Sequence, residues 1–237
     1  MRLLDGSVVI ITGAAGNLGS NVARAARGAG AKTALVDRSL DHLRRVHGDI
    51  ADDPSHLLAA VDLADLVAVE AFVATVKSRL GAPTGLVNTV GGYRGDDPVE
   101  RSEWATWESM YAMNVRPTLV CSRAVLPGMR EAGHGSILNV ASLAGRVADP
   151  NGAAYAAAKA SVLRLTEALA AEMKAEGVRV NAVLPGALAT PQNEAWMSPA
   201  QLAAAVDLGA LADVVVFFLS DMSRAVTGAA LEVKGKQ

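Results

Sequence analysis

The 237-residue chain has a single cysteine, few aromatic residues and no marked excess of either charge. One cysteine, Cys121, allows no internal disulfide, which fits a reducing cytoplasm. With 22 basic and 24 acidic residues the net charge is −2, so no global field attracts nucleic acid or an anionic membrane. The first apolar run, Val8 to Ile11, is too short for a signal peptide or a membrane span. We therefore expect a soluble cytoplasmic protein.

Small and branched apolar residues are abundant instead, and hydrophobic residues make up 51% of the chain. This length suits one well-filled domain over residues 1–237. Predicted strands cover 7–12, 32–37, 57–61, 84–88, 136–141, 178–183 and 229–233, and predicted helices cover 18–29, 65–80, 100–131, 153–176 and 211–219. This alternation predicts an α/β fold: a doubly wound, Rossmann-like parallel sheet of seven strands with helices on both faces. Residues 187–210 are expected to form a long loop over the site.

A tyrosine and a lysine in the fourth long helical stretch suggest proton-transfer chemistry. Tyr155 and Lys159 are four residues apart, which places them on one helix face. A free tyrosine keeps its proton until about pH 10, and a nearby ammonium favours the phenolate. The pair could then exchange protons near neutrality, and Ser142 upstream would add a hydroxyl donor. Chance is the alternative, because many surface helices carry this spacing.

A glycine-rich turn, Thr12-Gly13-Ala14-Ala15-Gly16-Asn17-Leu18-Gly19, joins the first predicted strand to the first helix. Glycines let a backbone turn tightly and approach a pyrophosphate, which rests on the helix N-terminus. Tight turns also need glycine for other reasons, but the position after the first strand favours nucleotide binding.

The second predicted strand ends in an acid, Asp37, followed by Arg38. An acid about twenty residues after such a turn can accept hydrogen bonds from the adenosine ribose and repel a 2′-phosphate, which favours NAD. Arg38 could instead pair with that phosphate, so NADP stays open.

Further short motifs follow the later strands in a fixed order. They are Asp62-Leu63, Asn88-Thr89-Val90-Gly91, Asn114, Ser142, the Tyr155/Lys159 pair, and Pro185-Gly186 followed by Thr190. With the glycine turn, they make the chain resemble the short-chain dehydrogenase/reductase family, in its single-domain branch, from residue 7 to about 233.

The resemblance implies an NAD(P)(H)-dependent oxidoreductase that interconverts a secondary alcohol and a ketone by hydride transfer. In such an enzyme Tyr155 would be the general acid–base, and Lys159 would lower its pKa and bind the nicotinamide ribose. Ser142 would donate to the substrate oxygen, where negative charge develops. Asn114 would hold a water that links Lys159 to the solvent. The substrate is expected to be small or medium-sized and mostly apolar.

The resemblance also implies the cofactor contacts. The pyrophosphate turn would use Gly13, Gly16, Asn17 and Leu18, and Asp37 with Arg38 would meet the adenosine ribose. Asp62 and the Leu63 amide would hold the adenine, while Asn88 and Gly91 would line the adenosine side of the cleft. The nicotinamide carboxamide and the pyrophosphate would be gripped by Pro185, Gly186, Leu188 and Thr190. NAD is the preferred cofactor and NADP the alternative.

Two departures from the family pattern stand out. Asn17 occupies a position where the single-domain branch usually has glycine, although asparagine tolerates left-handed backbone better than most residues. Lys234 and Lys236 replace residues that are often acidic or glycine near the C-terminus. They motivate a rival reading, a catalytically silent NAD(H)-binding sensor or structural protein. A second rival is a reductase of a quinonoid pterin or a similar ring.

Alanines crowd the start of the helix predicted over 153–176, so a second backbone could approach it closely. Helix propensity alone would also explain them. We expect a homotetramer, or failing that a homodimer. Candidates for an apolar substrate pocket are Gly92-Tyr93-Arg94, the segment with Trp104 and Trp107, and Trp196 with Met197, although tryptophans three apart on one helix more often pack on the core. The four histidines show no metal-ligand spacing and are expected at the surface: His42, His47, His56 and His134.

Overall fold

The computed structural model describes residues 2–94, 97–195 and 197–236, so Trp196 lies outside the described residues. Its strands are β1 (Val8–Thr12), β2 (Lys32–Asp37), β3 (His56–Ala60), β4 (Gly85–Asn88), β5 (Gly135–Val140), β6 (Val178–Pro185) and β7 (Ala230–Val233). Its helices are α1 (Asn17–Gly28), α2 (Leu40–His47), α3 (Leu66–Arg79), α4 (Trp104–Asn114), α5 (Arg116–Ala132), α6 (Ala153–Met173), α7 (Pro191–Glu194), α8 (Pro199–Ala204) and α9 (Leu208–Leu219).

The strands form one parallel sheet in the order β3-β2-β1-β4-β5-β6-β7. This confirms the predicted Rossmann-like sheet of seven parallel strands. The order reverses between β1 and β4, and connections leave these two strands in opposite directions across the sheet. Such a switch point opens a crevice at the carboxyl ends of the strands, which is where ligands bind in open parallel sheets.

Apolar residues alternate between the two faces of the sheet, as the period of two in a strand requires. In β1, Val9 and Ile11 pack against α1 and α9, whereas Val8 and Ile10 pack on the opposite face against α3 and α5. Strands buried on both faces carry continuous apolar runs, and β1 is buried at all five positions. These runs are the reason the strand predictions came close to the observed bounds.

The helices differ more from prediction than the strands do. One helix was predicted over 100–131, but the structure breaks it at Val115, where α4 ends and α5 begins. Pro117 follows within the first turn of α5 and has no N–H to continue the hydrogen-bond ladder of α4. Helix α2 was not predicted because it is short and largely polar. The loop predicted over 187–210 contains α7 and α8.

Candidate active site

Ser142, Tyr155 and Lys159 come together just past the carboxyl end of β5. Ser142 follows that strand by two residues, and the short 3-10 turn Leu143–Gly145 packs against α6. A Cβ at Gly145 would lie 2.9 Å from the carbonyl carbon of Lys159, so only glycine permits this approach. The close packing sets Ser142 beside the first turns of α6, which carry Tyr155 and Lys159.

The phenol of Tyr155 is largely enclosed by the protein. Its hydroxyl is hydrogen-bonded to Ser142, and its ring meets Tyr93 edge-on, with 5.2 Å between ring centroids. Burial raises the pKa of Tyr155, and the bond to Ser142 lowers it by a smaller amount. The neutral phenol is therefore favoured, and this suits a group that delivers a proton to a carbonyl oxygen.

Lys159 is 5% exposed, and its Nζ donates to the carbonyl of Val140 at 3.0 Å. The Nζ lies 5.8 Å from the centroid of the Tyr155 ring. Burial lowers the pKa of Lys159 to about 8. Burial thus disfavours the charged form of both groups, and it raises the pKa of Tyr155 where the sequence predicted a lowering by Lys159.

Asn114 is fully buried at the end of α4, and its amide is held from three sides. The Oδ1 accepts from the Gly92 N–H at 3.1 Å, while Nδ2 donates to the carbonyls of Gly92 and Met110 at 3.0 Å each. A Cβ on Gly91 would lie 2.7 Å from Asn114 Oδ1 and 3.0 Å from Lys159 Nζ. Gly91, expected on the adenosine side, thus sits between two of the four expected catalytic residues.

The glycine turn after β1 is built by close backbone approach. Gly13 has a φ of +60°, and a Cβ on Gly19 would lie 2.1 Å from the Gly13 carbonyl oxygen. Asn17 is the first residue of α1, and among the described residues only Asn151 is a non-glycine with positive φ. Asn17 therefore does not adopt the left-handed backbone conformation that asparagine tolerates. Its Nδ2 instead donates to Gln192 Oε1 on α7, across the mouth of the crevice.

The N-terminus of α1 has no side-chain cap, and its N-cap residue is Gly16. The first N–H groups of a helix lack partners within the helix, so an uncapped end favours an anion. The Leu18 side chain packs in the core, which leaves only its backbone at the turn. Gly13, Gly16, Asn17 and Leu18 thus surround a bare helix end that fits a pyrophosphate.

Asp37 ends β2 next to this turn, and both of its carboxylate oxygens are held. Oδ2 accepts from the Ala15 N–H at 3.1 Å, and Oδ1 accepts from the Arg38 N–H at 2.7 Å. The Arg38 residue is exposed. The carboxylate is therefore fixed at the edge of the turn by backbone donors.

Three residues expected near the adenosine also contact the rest of the protein. Asp62 Oδ1 accepts from the Ala64 N–H at 2.9 Å, and the Leu63 side chain is buried in the core. Asn88 is 2% exposed, and its Nδ2 donates to Asn139 Oδ1 at 2.9 Å. The Asn88 Oδ1 is buried without a hydrogen-bond partner among the described residues.

The segment after β6 borders the other side of the crevice. Pro185 ends β6, and the Gly186 N–H donates to the Val233 carbonyl at 2.9 Å. Leu188 forms a parallel bridge with Val206, and the Thr190 hydroxyl caps α7 by accepting from the Asn193 N–H at 3.2 Å. This loop is thus a structured strap rather than an open segment.

Sequence reasoning misplaced one residue near the site. Gly19 belongs to the predicted glycine turn as its third glycine. Tyr93 was a candidate for the substrate pocket, and its ring lies against that of Tyr155. His47 was expected at the surface, which is wrong: it is fully buried beneath the glycine turn. The available signal was its i,i+4 spacing from Leu43, which is also buried.

Among the residues the structure describes, no three histidine, cysteine or acidic side chains gather in a way that could bind a metal ion. Within the same residues, no helix has the length and apolarity needed to cross a membrane.

Comparison with known proteins gives consistent matches. The family model for short chain dehydrogenase matches residues 7–201. The 2-(S)-hydroxypropyl-CoM dehydrogenase 3 of Xanthobacter autotrophicus is 34% identical over 98% of this chain and 96% of its own. A protein of the same organism named inactive 2-(S)-hydroxypropyl-CoM dehydrogenase 2 is 36% identical over 90% of this chain and 98% of its own. Galactitol 2-dehydrogenase of Cereibacter sphaeroides is 34% identical over 98% of this chain and 95% of its own.

A solved structure with the same architecture is a gluconate 5-dehydrogenase from Burkholderia cenocepacia, in complex with NADP and tartrate. It superposes with a TM-score of 0.90 at 28% identity, and the match covers 99% of this chain and 96% of that one.

Proposed function

The chain belongs to the short-chain dehydrogenase/reductase family, and on that premise we propose that Tyr155 is its general acid–base and NAD(H) its preferred cofactor. The protein is an NAD(P)(H)-dependent oxidoreductase that interconverts a secondary alcohol and a ketone. The observation that carries the assignment of roles is the contact of Tyr155 with Ser142 on one side and Lys159 on the other.

The chain's own residues fit a dinucleotide. The uncapped start of α1 offers backbone N–H groups to a pyrophosphate, and the glycines allow the close backbone approach that shapes the turn. When bound, the nicotinamide supplies the carbon that accepts or gives the hydride. Asp37 is fixed at the end of β2, where an acid accepts ribose hydroxyls and repels a 2′-phosphate.

The proton moves between the substrate oxygen and Tyr155 Oη. In reduction the phenol gives its proton to the carbonyl oxygen, and in oxidation the phenolate takes the proton of the hydroxyl. Ser142 Oγ is positioned to donate to the same oxygen and to stabilise the charge that develops there. Lys159, held against the Val140 carbonyl, keeps an ammonium beside the phenol and favours the phenolate when oxidation requires it.

The direct test is Tyr155→Phe. We expect kcat for ketone reduction to fall by on the order of 10³-fold, because the proton donor is lost. The NADH dissociation constant, measured by titration of NADH fluorescence, should stay within about twofold, since the ring contact with Tyr93 can persist. A substrate panel should contain apolar secondary alcohols as well as D-threitol and galactitol. Retained turnover in the variant would refute the assigned role.

A catalytically silent nucleotide-binding protein is the second candidate, and one relative favours it. A dehydrogenase named as inactive is 36% identical to this chain, so overall similarity does not separate active from silent members. The placing of Ser142, Tyr155, Lys159 and Asn114 around one crevice supports activity here. Tight NADH binding by the wild-type protein, with no turnover across the whole panel, would support the silent candidate instead.

We also propose a single-domain cytoplasmic protein that assembles as a homotetramer, or else a dimer. Large apolar side chains on α4 and α5 are exposed, with Trp104 73%, Tyr111 40% and Leu119 46% accessible. Exposed apolar residues gathered on neighbouring helices favour burial against another subunit. Light scattering coupled to size exclusion should give a mass of two or four chains at micromolar concentration. A monomer would contradict the proposal.

A further inference from the structure

His47 is the last residue of α2 and is fully buried. Its Nε2 lies 2.8 Å from the carbonyl oxygen of Ala14, in the middle of the glycine turn. A carbonyl only accepts, so Nε2 carries the proton and the neutral ring leaves Nδ1 as an acceptor. That Nδ1 is buried without a partner among the described residues. An unpaired buried acceptor is costly, and an apolar side chain would avoid that cost.

The Ala14–Ala15 peptide is held at both of its ends. Its carbonyl accepts from His47, and its N–H donates to Asp37 Oδ2 at 3.1 Å. The Ala14 N–H also donates to the Val36 carbonyl at 3.2 Å, which ties the turn to β2. A hydrogen bond at the carbonyl of a peptide polarises it and strengthens donation by its N–H. The imidazole of His47 and the carboxylate of Asp37 are thus linked through one peptide.

We propose that His47 is a positioning residue for the dinucleotide, which orients the Ala14–Ala15 peptide and, through it, the carboxylate of Asp37. The inference rests on the proposed function, in which Asp37 accepts the adenosine ribose hydroxyls. His47 itself lies beneath the turn and acts through the turn alone. Loss of its N–H therefore weakens NADH binding more than NADPH binding, because an ordered Asp37 carboxylate benefits only the ribose without a 2′-phosphate.

The surroundings of His47 keep its ring neutral. Burial lowers its pKa, and the cations of Arg27 and Arg24 on α1 lower it further, while the bond to Ala14 and the carboxylate of Asp49 raise it. Arg27 forms an ion pair with Asp49 at 2.9 Å, so the nearest acid is already shared. The neutral ring retains a single donor, and that donor is directed at Ala14.

The test compares two variants of His47 with a matched change elsewhere. His47→Gln keeps an N–H donor at a similar reach, whereas His47→Met fills the space without a donor. His56→Met is the control. His56 is half-buried at the start of β3, with Nδ1 2.9 Å from Thr33 Oγ1, at the edge of the sheet opposite the glycine turn. This control removes a buried imidazole and its hydrogen bond without touching the turn.

For His47→Met we expect the NADH dissociation constant to rise about tenfold, which corresponds to one hydrogen bond in a buried site. The NADPH constant should rise about threefold at most, so the ratio of the two constants changes. We expect kcat at saturating NADH to stay within about twofold, and His47→Gln to recover most of the affinity. Thermal unfolding of all three variants shows whether each is folded and how far its stability has fallen.

Equal weakening of NADH and NADPH binding, or a His56→Met variant with the same loss of affinity, would overturn the inference and leave a structural role. Unchanged affinity in a folded His47→Met protein would overturn it as well. If His47→Met fails to fold, the NADH affinities of His47→Gln and His47→Asn test the inference instead. Asn places its amide at the level of Nδ1 and cannot reach Ala14, so His47→Asn should bind NADH more weakly than His47→Gln. Equal NADH affinity in these two would refute the inference. Wild-type protein that binds neither dinucleotide would refute the proposed function itself.

Discussion

The two sides of the crevice are built in different ways. On the β5 side, the groups expected to react are ionisable side chains that the protein encloses, namely Tyr155 and Lys159, and burial shifts the pKa of both. On the β1 side, the groups expected to bind are backbone amides of the glycine turn, with Asp37 held by two N–H donors. The β5 side therefore depends on buried ionisable side chains, and the β1 side depends on fixed backbone geometry. Changes on the first should act on kcat, and changes on the second on affinity.

Lys159→Met should produce the largest effect of this comparison. Removing the ammonium beside Tyr155 should lower kcat for alcohol oxidation on the order of 10³-fold, because the phenolate loses its neighbouring cation. Lys32→Met is the matched control, since Lys32 Nζ also donates to a backbone carbonyl, that of Leu80, at 3.3 Å. Lys32 is the first residue of β2, at the amino ends of the strands and away from the crevice, and its loss should leave kcat within about twofold. Steady-state kinetics would measure kcat for both variants. An equal loss of kcat in the two would contradict the role assigned to Lys159.

The pH dependence of the reaction should also distinguish the two sides of the crevice, with an effect per pH unit that is smaller than the effect of Lys159→Met. Because burial raises the pKa of Tyr155, the phenolate is scarce near neutrality. The kcat/KM for alcohol oxidation should therefore rise about tenfold per pH unit from about pH 6 to about pH 8, while ketone reduction stays nearly flat. Above pH about 8 the rise should weaken as Lys159 loses its proton. NADH affinity should change little, since the backbone donors of the turn do not titrate. Oxidation that is independent of pH would contradict this assignment of the base.

Asp37→Ser should have the smallest effect and act on affinity alone. The NADH dissociation constant should rise about tenfold because ribose contacts are lost, and the NADPH constant should fall because the repelling charge is removed. The kcat at saturating dinucleotide should stay within about twofold. Fluorescence titration with both dinucleotides measures this, and Asp41→Ser, an exposed acid in the first turn of α2, is the control. A variant that still prefers NADH as strongly as wild type would show that Asp37 does not select the cofactor.

The fold and the positions of the expected site residues were largely readable from the sequence, because both depend on local pattern. Apolar runs marked every strand, and the i,i+4 spacing put Tyr155 and Lys159 on one face of α6. What spacing cannot supply is the degree of burial, which depends on how distant segments pack. For that reason the sequence could not indicate that burial raises the pKa of Tyr155.

Long-range partners were equally out of reach. Nothing near Asn17 in the chain indicates that its amide meets Gln192, which comes 175 residues later. The burial of His47 depends on how the end of α2 fits under the glycine turn, and its i,i+4 spacing from Leu43 indicates the buried face of α2 but not the contact with Ala14. Asn88 was assigned to the crevice by its motif, and nothing near it in the chain indicates that its Nδ2 donates to Asn139 on the neighbouring strand.

The packing of α1 on α9 has a consequence for how the protein is made. Val22 and Ala26 of α1 lie in the same core cluster as Leu211 and Val215 of α9, although five strands separate the two helices along the chain. The glycine turn and α1 are therefore synthesised well before the helix that covers α1. Until then the nascent chain exposes an apolar helix face, and this is the period in which chaperone binding or aggregation would compete with folding.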